Sequence, residues 1–139
     1  KQKTAYEIII TSFAKGDLKK LDELLTRDMA SNFKQAINER NKHGIKSELT
    51  FISMKESDLE KYEKVKTNLY ATVKFVSEII SVKKDKSNKV IEGNPDRIKT
   101  VTDHWKFTKN ILNKSPNWYL TEITNKWIKK KKVNYQNQI

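Results

Sequence analysis

The chain contains no cysteine. That excludes disulfides and thiolate chemistry, and it fits a reducing compartment. Glycine and proline are scarce, three and two in 139 residues, so each marks a specific break in the chain rather than a flexible linker. Arginine is scarce as well. Arg27, Arg40 and Arg97 are the only three among 29 basic residues. Arginine makes the bidentate and stacking contacts that read nucleic-acid bases, whereas lysine acts as a point charge. A run of about 18 apolar residues is also missing, so no segment reads as a membrane-spanning helix. The sequence opens on Lys1 rather than methionine, which points to a fragment or processed form whose targeting peptide or anchor would lie upstream.

Positive charge is plentiful, with a formal net charge of +12. It is unevenly placed: residues 1–96 carry +4 and residues 97–139 carry +8. A lysine-based excess of this kind favours diffuse attraction to an anionic surface over sequence readout. The competing reading is a solvated surface in a chain biased toward Lys, Asn and Ile.

At this length one domain is expected, over residues 1–125, followed by a basic tail at 126–139. The first third is helical. Thr4 and Glu7 match a capping box, and Tyr6, Ile9, Ile10 and Phe13 follow at helical spacing. Gly16 closes that helix, and Asp17 caps a second with Leu18, Leu21, Leu24 and Leu25 on one stripe. Asp28 is placed to cap a third, in which Met29, Phe33, Ala36 and Ile37 share a face. Lys42 and His43 suit its last turn, and Gly44 ends it.

Beyond Gly44 the period becomes alternating. Leu49, Phe51 and Ser53 suggest a strand. Asp58–Asn68 fits a helical turn through Leu59, Tyr62 and Val65 as well as it fits a hairpin arm. Leu69, Ala71, Val73, Phe75 and Ile79 then alternate with Tyr70, Thr72, Lys74 and Glu78. The run KKDKSNK at Lys83–Lys89 reads as a solvated hairpin connection. Turns at Gly93-Asn94-Pro95-Asp96 and Ser115-Pro116-Asn117 bracket a strand from Arg97 to about Asn110, and Trp118 to about Thr124 forms the last. Three helices followed by about four antiparallel strands is an α+β layout, with a bent sheet wrapped on the helices as a cone.

The order of segments carries a likeness. A helix ending FAKGD is followed by a leucine helix, a helix ending near KHG, the strand VKFVSEII, a charged hairpin, NPDRIKTVTDHWKFTKN and SPNWYLTEI. This resembles the Tim44-like family, the C-terminal domain of the mitochondrial inner-membrane import-motor scaffold and its bacterial relatives. The likeness runs from about Ala5 to Ile123, and Leu59–Asn68 departs from it. It implies the nuclear-transport-factor-two-like (cystatin-like) fold, a curved sheet cradling helices around an apolar pocket. It also implies peripheral association with anionic lipid such as cardiolipin. A partner would be a DnaK-class chaperone or a translocase component, at a bacterial inner membrane or the matrix face of the mitochondrial inner membrane.

Inward positions on neighbouring strands, Val73, Phe75, Val101, Asp103, Trp105 and Phe107, are candidates for that pocket; the plainer alternative is ordinary core. Asp103 shares the face of Val101 and Trp105, while His104 points the other way. A carboxylate there needs a partner, either a helix end or a tryptophan indole N–H. Catalysis by Asp103 would require a second acid, nucleophile or metal cluster, and none is evident, so neither catalytic residues nor a metal or other cofactor are expected. Ile8 points away from the stripe formed by Ile9 and Ile10. With Lys15, Lys19 and Lys20 it suits shallow contact with a lipid interface. Lys126, Lys129, Lys130, Lys131 and Lys132 with Trp127 and Ile128 form the densest basic cluster; Trp127 with Lys129, Lys130 and Lys131 suits a lipid interface, and a nucleic-acid-binding tail or a solubilising end is an equal alternative.

The expected function is a non-enzymatic scaffold on an anionic membrane that holds a protein partner, with no specific nucleic acid. The alternatives are an assembly domain of a membrane-spanning secretion system, a small-molecule enzyme using the cone, and a nucleic-acid-binding protein. The oligomeric state is not legible.

Overall fold

The computed structural model describes residues 2–124. Three helices come first: α1 (Gln2–Lys15), α2 (Leu18–Asp22) and α3 (Arg27–Lys42). Five strands follow: β1 (Lys46–Val65), β2 (Asn68–Lys84), β3 (Val90–Gly93), β4 (Lys99–Asn110) and β5 (Tyr119–Ile123). They form one antiparallel sheet in the order β1-β2-β4-β5, with β3 also paired to β2 beyond the end of β4.

The helix boundaries depart from the sequence reading in three places. α1 is already helical at Gln2, so Thr4 and Glu7 lie inside it and do not cap it. At its other end Gly16 takes φ +77°, a conformation glycine adopts without strain. Arg40 then donates to the Phe13 and Ala14 carbonyls at 2.8 and 3.1 Å, closing the end of α1 from α3. Asp17 caps α2 as expected, accepting from the Lys20 N–H at 3.1 Å. But α2 ends at Asp22, and the leucine stripe does not continue as helix. Leu24 and Thr26 bond instead to the Leu120 backbone, at 2.9 and 3.0 Å, and cover the outer edge of β5. The N-cap of α3 is Thr26 rather than Asp28, which lies in the first turn.

The first two strands are longer than expected, and there are five strands in all. The ambiguous stretch Asp58–Val65 is the outer half of β1. Ile52, Lys55 and Glu60 are extra residues at three bulges against β2. Each bulge bends the strand and increases its twist, which curves the sheet over the helices. Of KKDKSNK, Lys83 and Lys84 end β2 and the remaining DKSNK forms the β2–β3 connection, where the Asp85 carboxylate accepts from the Ser87 and Lys89 N–H groups, both at 2.9 Å.

The core lies between the helices and the concave face. α1 contributes Tyr6, Ile9, Ile10 and Phe13, and α3 contributes Met29, Phe33 and Ile37. They meet Val73, Phe75, Ile79, Trp105, Phe107, Leu120 and Ile123 from the sheet. The Phe13 and Phe33 rings pack edge-on at 5.0 Å.

Candidate functional site

The middle of the concave face is closed by one side chain. The Tyr6 ring stacks on Phe75 at 4.5 Å and tilts against Trp105 at 4.6 Å. Its hydroxyl donates to Asp103 Oδ2 at 2.6 Å and lies 3.1 Å from Ser77 Oγ. Asp103 and Ser77 are both buried. Burial pushes the Tyr6 phenol well above the usual tyrosine range, and the neighbouring Asp103 carboxylate adds to it. The phenol therefore remains a donor. The sequence offered a helix end or an indole as the partner of Asp103, but the Tyr6 hydroxyl, from within α1, fills that place. Trp105 Nε1 is buried and makes no hydrogen bond among the described residues.

Two apolar hollows flank this plug. The larger, about 410 Å³, opens between α1, the α2–α3 connection and the β4–β5 connection. Ala5 and Ile8 form one wall, Leu24 another, Phe107 the floor, and Pro116 and Trp118 the far side. Thr4, Glu23 and Asn117 bring polar groups to it. The smaller, about 300 Å³, lies where Leu59 and Tyr62 of β1 face Ala71 and Val73 of β2. Trp118 borders both hollows. The larger is within the roughly 300–1,000 Å³ range of small-molecule pockets. Its walls suit an acyl chain or an apolar side chain.

The six inward residues read from the sequence thus separate. Phe107 and Val73 reach the hollows. Phe75, Asp103 and Trp105 are packed into the core around Tyr6, and Val101 is partly buried farther along β4. Ile8, expected to point outward, is half-buried in the wall of the larger hollow. It lies about 100° around the helix from Ile9, which turns it toward Leu24 rather than fully to solvent. Lys15, Lys19 and Lys20 are exposed at the corner of α1 and α2. Trp127, Lys129, Lys130 and Lys131 lie outside the described residues. Leu24, Leu59, Tyr62 and Trp118 were read from the sequence as stripe and strand positions and not as site residues. The tryptophan directly after a Pro-Asn turn was the available signal, since a large ring at the mouth of a strand tends to line whatever opens there.

Among the described residues no group of three or more His, Asp or Glu side chains is placed to hold a metal ion. No helix among them is long and apolar enough to cross a membrane.

No curated protein matches the sequence. Among solved structures, the intermembrane-space region of the chloroplast protein ARC6 superposes with a TM-score of 0.54 at 17% identity, over 86% of this chain and 92% of that one. At that identity the likeness speaks to the fold, the nuclear-transport-factor-two-like arrangement of helices on a curved antiparallel sheet. A model of the Tim44-like domain family matches residues 1–125. With that match over all of the described residues, the chain belongs to the Tim44-like domain family.

Proposed function

We propose that this domain is a non-enzymatic scaffold that works at an anionic membrane surface and holds a protein partner there, in a protein-translocation setting. The observation that carries the reading is the apolar hollow of about 410 Å³ beside Trp118, in a protein of net charge +12. An apolar slot takes a lipid tail or an apolar side chain, and a cationic exterior draws the protein to anionic headgroups. Membership of the Tim44-like family supports the scaffold role. Asp103 is engaged by Tyr6 inside the core, which favours binding over turnover. A cardiolipin-like lipid, and a DnaK-class chaperone or translocase component, are the partners this reading names. The membrane is a bacterial inner membrane or the matrix face of the mitochondrial inner membrane.

Co-sedimentation with phosphatidylcholine vesicles, with and without cardiolipin, tests the lipid part at low salt. Strong recovery only with cardiolipin is expected, and equal recovery with both would overturn it. A fluorescent fatty-acyl probe tests the slot. Trp118→Ala and Leu24→Asp are expected to weaken probe binding by about tenfold, the scale of losing one large apolar contact. Unchanged binding in both would remove the slot from the reading.

A further inference from the structure

The mouth of the cone carries a second apolar feature, formed where two turns meet. The β1–β2 turn at Lys66-Thr67 lies against the segment that follows β4: the Ile111 N–H donates to the Thr67 carbonyl at 2.8 Å. Asn110 joins them further. Its Nδ2 donates to Thr67 Oγ1 and Asn68 Oδ1, both at 3.0 Å, and its Oδ1 accepts the Leu112 N–H at 2.9 Å. Asn113 Oδ1 then accepts from the Ser115 N–H at 3.0 Å. Lys109 Nζ donates to the Asn113 and Ser115 carbonyls at 3.3 and 2.8 Å.

This bonded loop holds apolar side chains out in water. Leu112 is 76% exposed, Val65 51% and Ile111 44%. A floppy loop could fold such residues back, but here the backbone and the Asn110 side chain fix the conformation that presents them. Around them stand Lys64, Lys66 and Lys114, while the Lys109 ammonium is engaged by the loop's own carbonyls. No Asp or Glu occurs in residues 64–77, nor in residues 104–121. The patch is therefore apolar at its crest and mainly cationic at its flanks, where the one nearby carboxylate among the described residues, Glu63, is paired with Lys61 at 3.7 Å. That pattern complements the headgroup layer of an anionic bilayer, where the crest sits among acyl chains and the lysines among phosphates. Tyr62, in the wall of the smaller hollow, is three residues from Val65 on β1, roughly 10 Å along the strand. Pro116 and Trp118 follow directly on the other loop, so the two hollows open beside the patch.

We infer that the paired turns at Lys64–Thr67 and Lys109–Lys114 are the edge by which the domain enters an anionic phospholipid surface, with Leu112, Val65 and Ile111 inserted and the mouths of both hollows brought to the lipid. The inference rests on the membrane reading above and names its contact surface. It differs from the helix corner at Lys15, Lys19 and Lys20, which lacks an exposed apolar crest. A contrasting patch at Val90, Ile91 and Ile98 is also exposed. It lies by the far end of β2, roughly 45 Å along that strand, and mixes Glu92 and Asp96 with its cations.

The absence of cysteine makes the test clean. Leu112→Cys, Ile91→Cys and Lys20→Cys variants of the full chain each carry one environment-sensitive fluorophore. They are mixed with phosphatidylcholine vesicles, with or without cardiolipin. The expected result is a blue shift and quenching by lipid-borne quenchers at position 112 alone, and only with cardiolipin. Leu112→Asp combined with Val65→Asp is expected to weaken vesicle binding by at least about tenfold while leaving the unfolding midpoint unchanged, since both sites are exposed. Vesicle binding with a shift at position 20 and none at 112 would overturn the edge while the membrane reading stands. An absence of binding to cardiolipin vesicles would overturn both. A shift at 112 that grows with protein concentration without vesicles would assign the edge to a second copy of the chain and overturn the inference.

Discussion

Tyr6 joins α1 to both central strands through its ring and its hydroxyl. In the folded protein the buried phenol stays protonated, while in an unfolded chain it ionises near the ordinary value of 10.0. The folded state thus favours the protonated form. The stability this adds is complete below about pH 10 and is lost as the pH rises above it, by up to about 1.4 kcal/mol per pH unit. Tyr6→Phe is expected to remove that alkaline component. At neutral pH the variant is expected to be less stable by about 1–3 kcal/mol, because Asp103 loses the Tyr6 donor. Urea unfolding across neutral and alkaline pH checks both, and an unaltered alkaline decline in the variant would place the titration elsewhere. Asp103 was legible as an inward carboxylate from strand alternation alone. Its partner was not, because 97 residues separate it from Tyr6 and no periodicity pairs the two.

At the scale of elements, local signals located most of what they encode. Asp17, Gly16 and Gly44 punctuate the helices as read, and alternation in β2 and β4 sorted their inward faces. The outer half of β1 resisted for a physical reason. Inward positions there run Phe51, Met54, Ser57, Leu59 and Tyr62, because bulges at Ile52, Lys55 and Glu60 insert extra residues. A bulged strand therefore spaces its apolar residues by two and three and imitates a helix. Its hairpin turn carries no Asn-Gly or Asp-Gly signal either, since Lys66 itself takes φ 57°. The short α2 and its leucines were misjudged because Leu24–Thr26 is drawn off the helix by backbone bonds to Leu120, a long-range pairing. β3 was missed, and it rests on Gly93. That residue has φ +84°, and a Cβ there would strike the Ser81 carbonyl. Gly93→Ala is expected to destabilise by more than about 1 kcal/mol. The loss should appear as faster amide exchange at Val90–Gly93 and Val82, with α1 and β4 protected as before. Uniform loss of protection across the sheet would mean β3 is not a separable element.

For the whole molecule, the core is sealed at Tyr6, while the two hollows and the lysine-flanked turns lie toward one end of the sheet. Attraction of exposed lysines to an anionic surface is worth about 1 kcal/mol each and fades beyond a Debye length of about 8 Å at physiological salt. Binding to cardiolipin vesicles should therefore weaken steeply as salt rises, yet keep a salt-resistant remainder that disappears in the Leu112→Asp, Val65→Asp double variant. Titration of vesicle binding against sodium chloride measures both parts. A remainder equal in the wild-type and double-variant proteins would count against insertion.

The pairing of Leu24–Thr26 with Leu120 has a consequence for biogenesis. The helices leave the ribosome well before the strands they pack on, and β5 is nearly the last described segment to be made. No early fragment can bury the stripe of α1, because its counterparts Trp105 and Phe107 have not yet been translated. During that interval Ile9, Ile10 and Phe13 are bare hydrocarbon on a nascent chain, which makes α1 a natural substrate for holdase chaperones until synthesis passes Ile123.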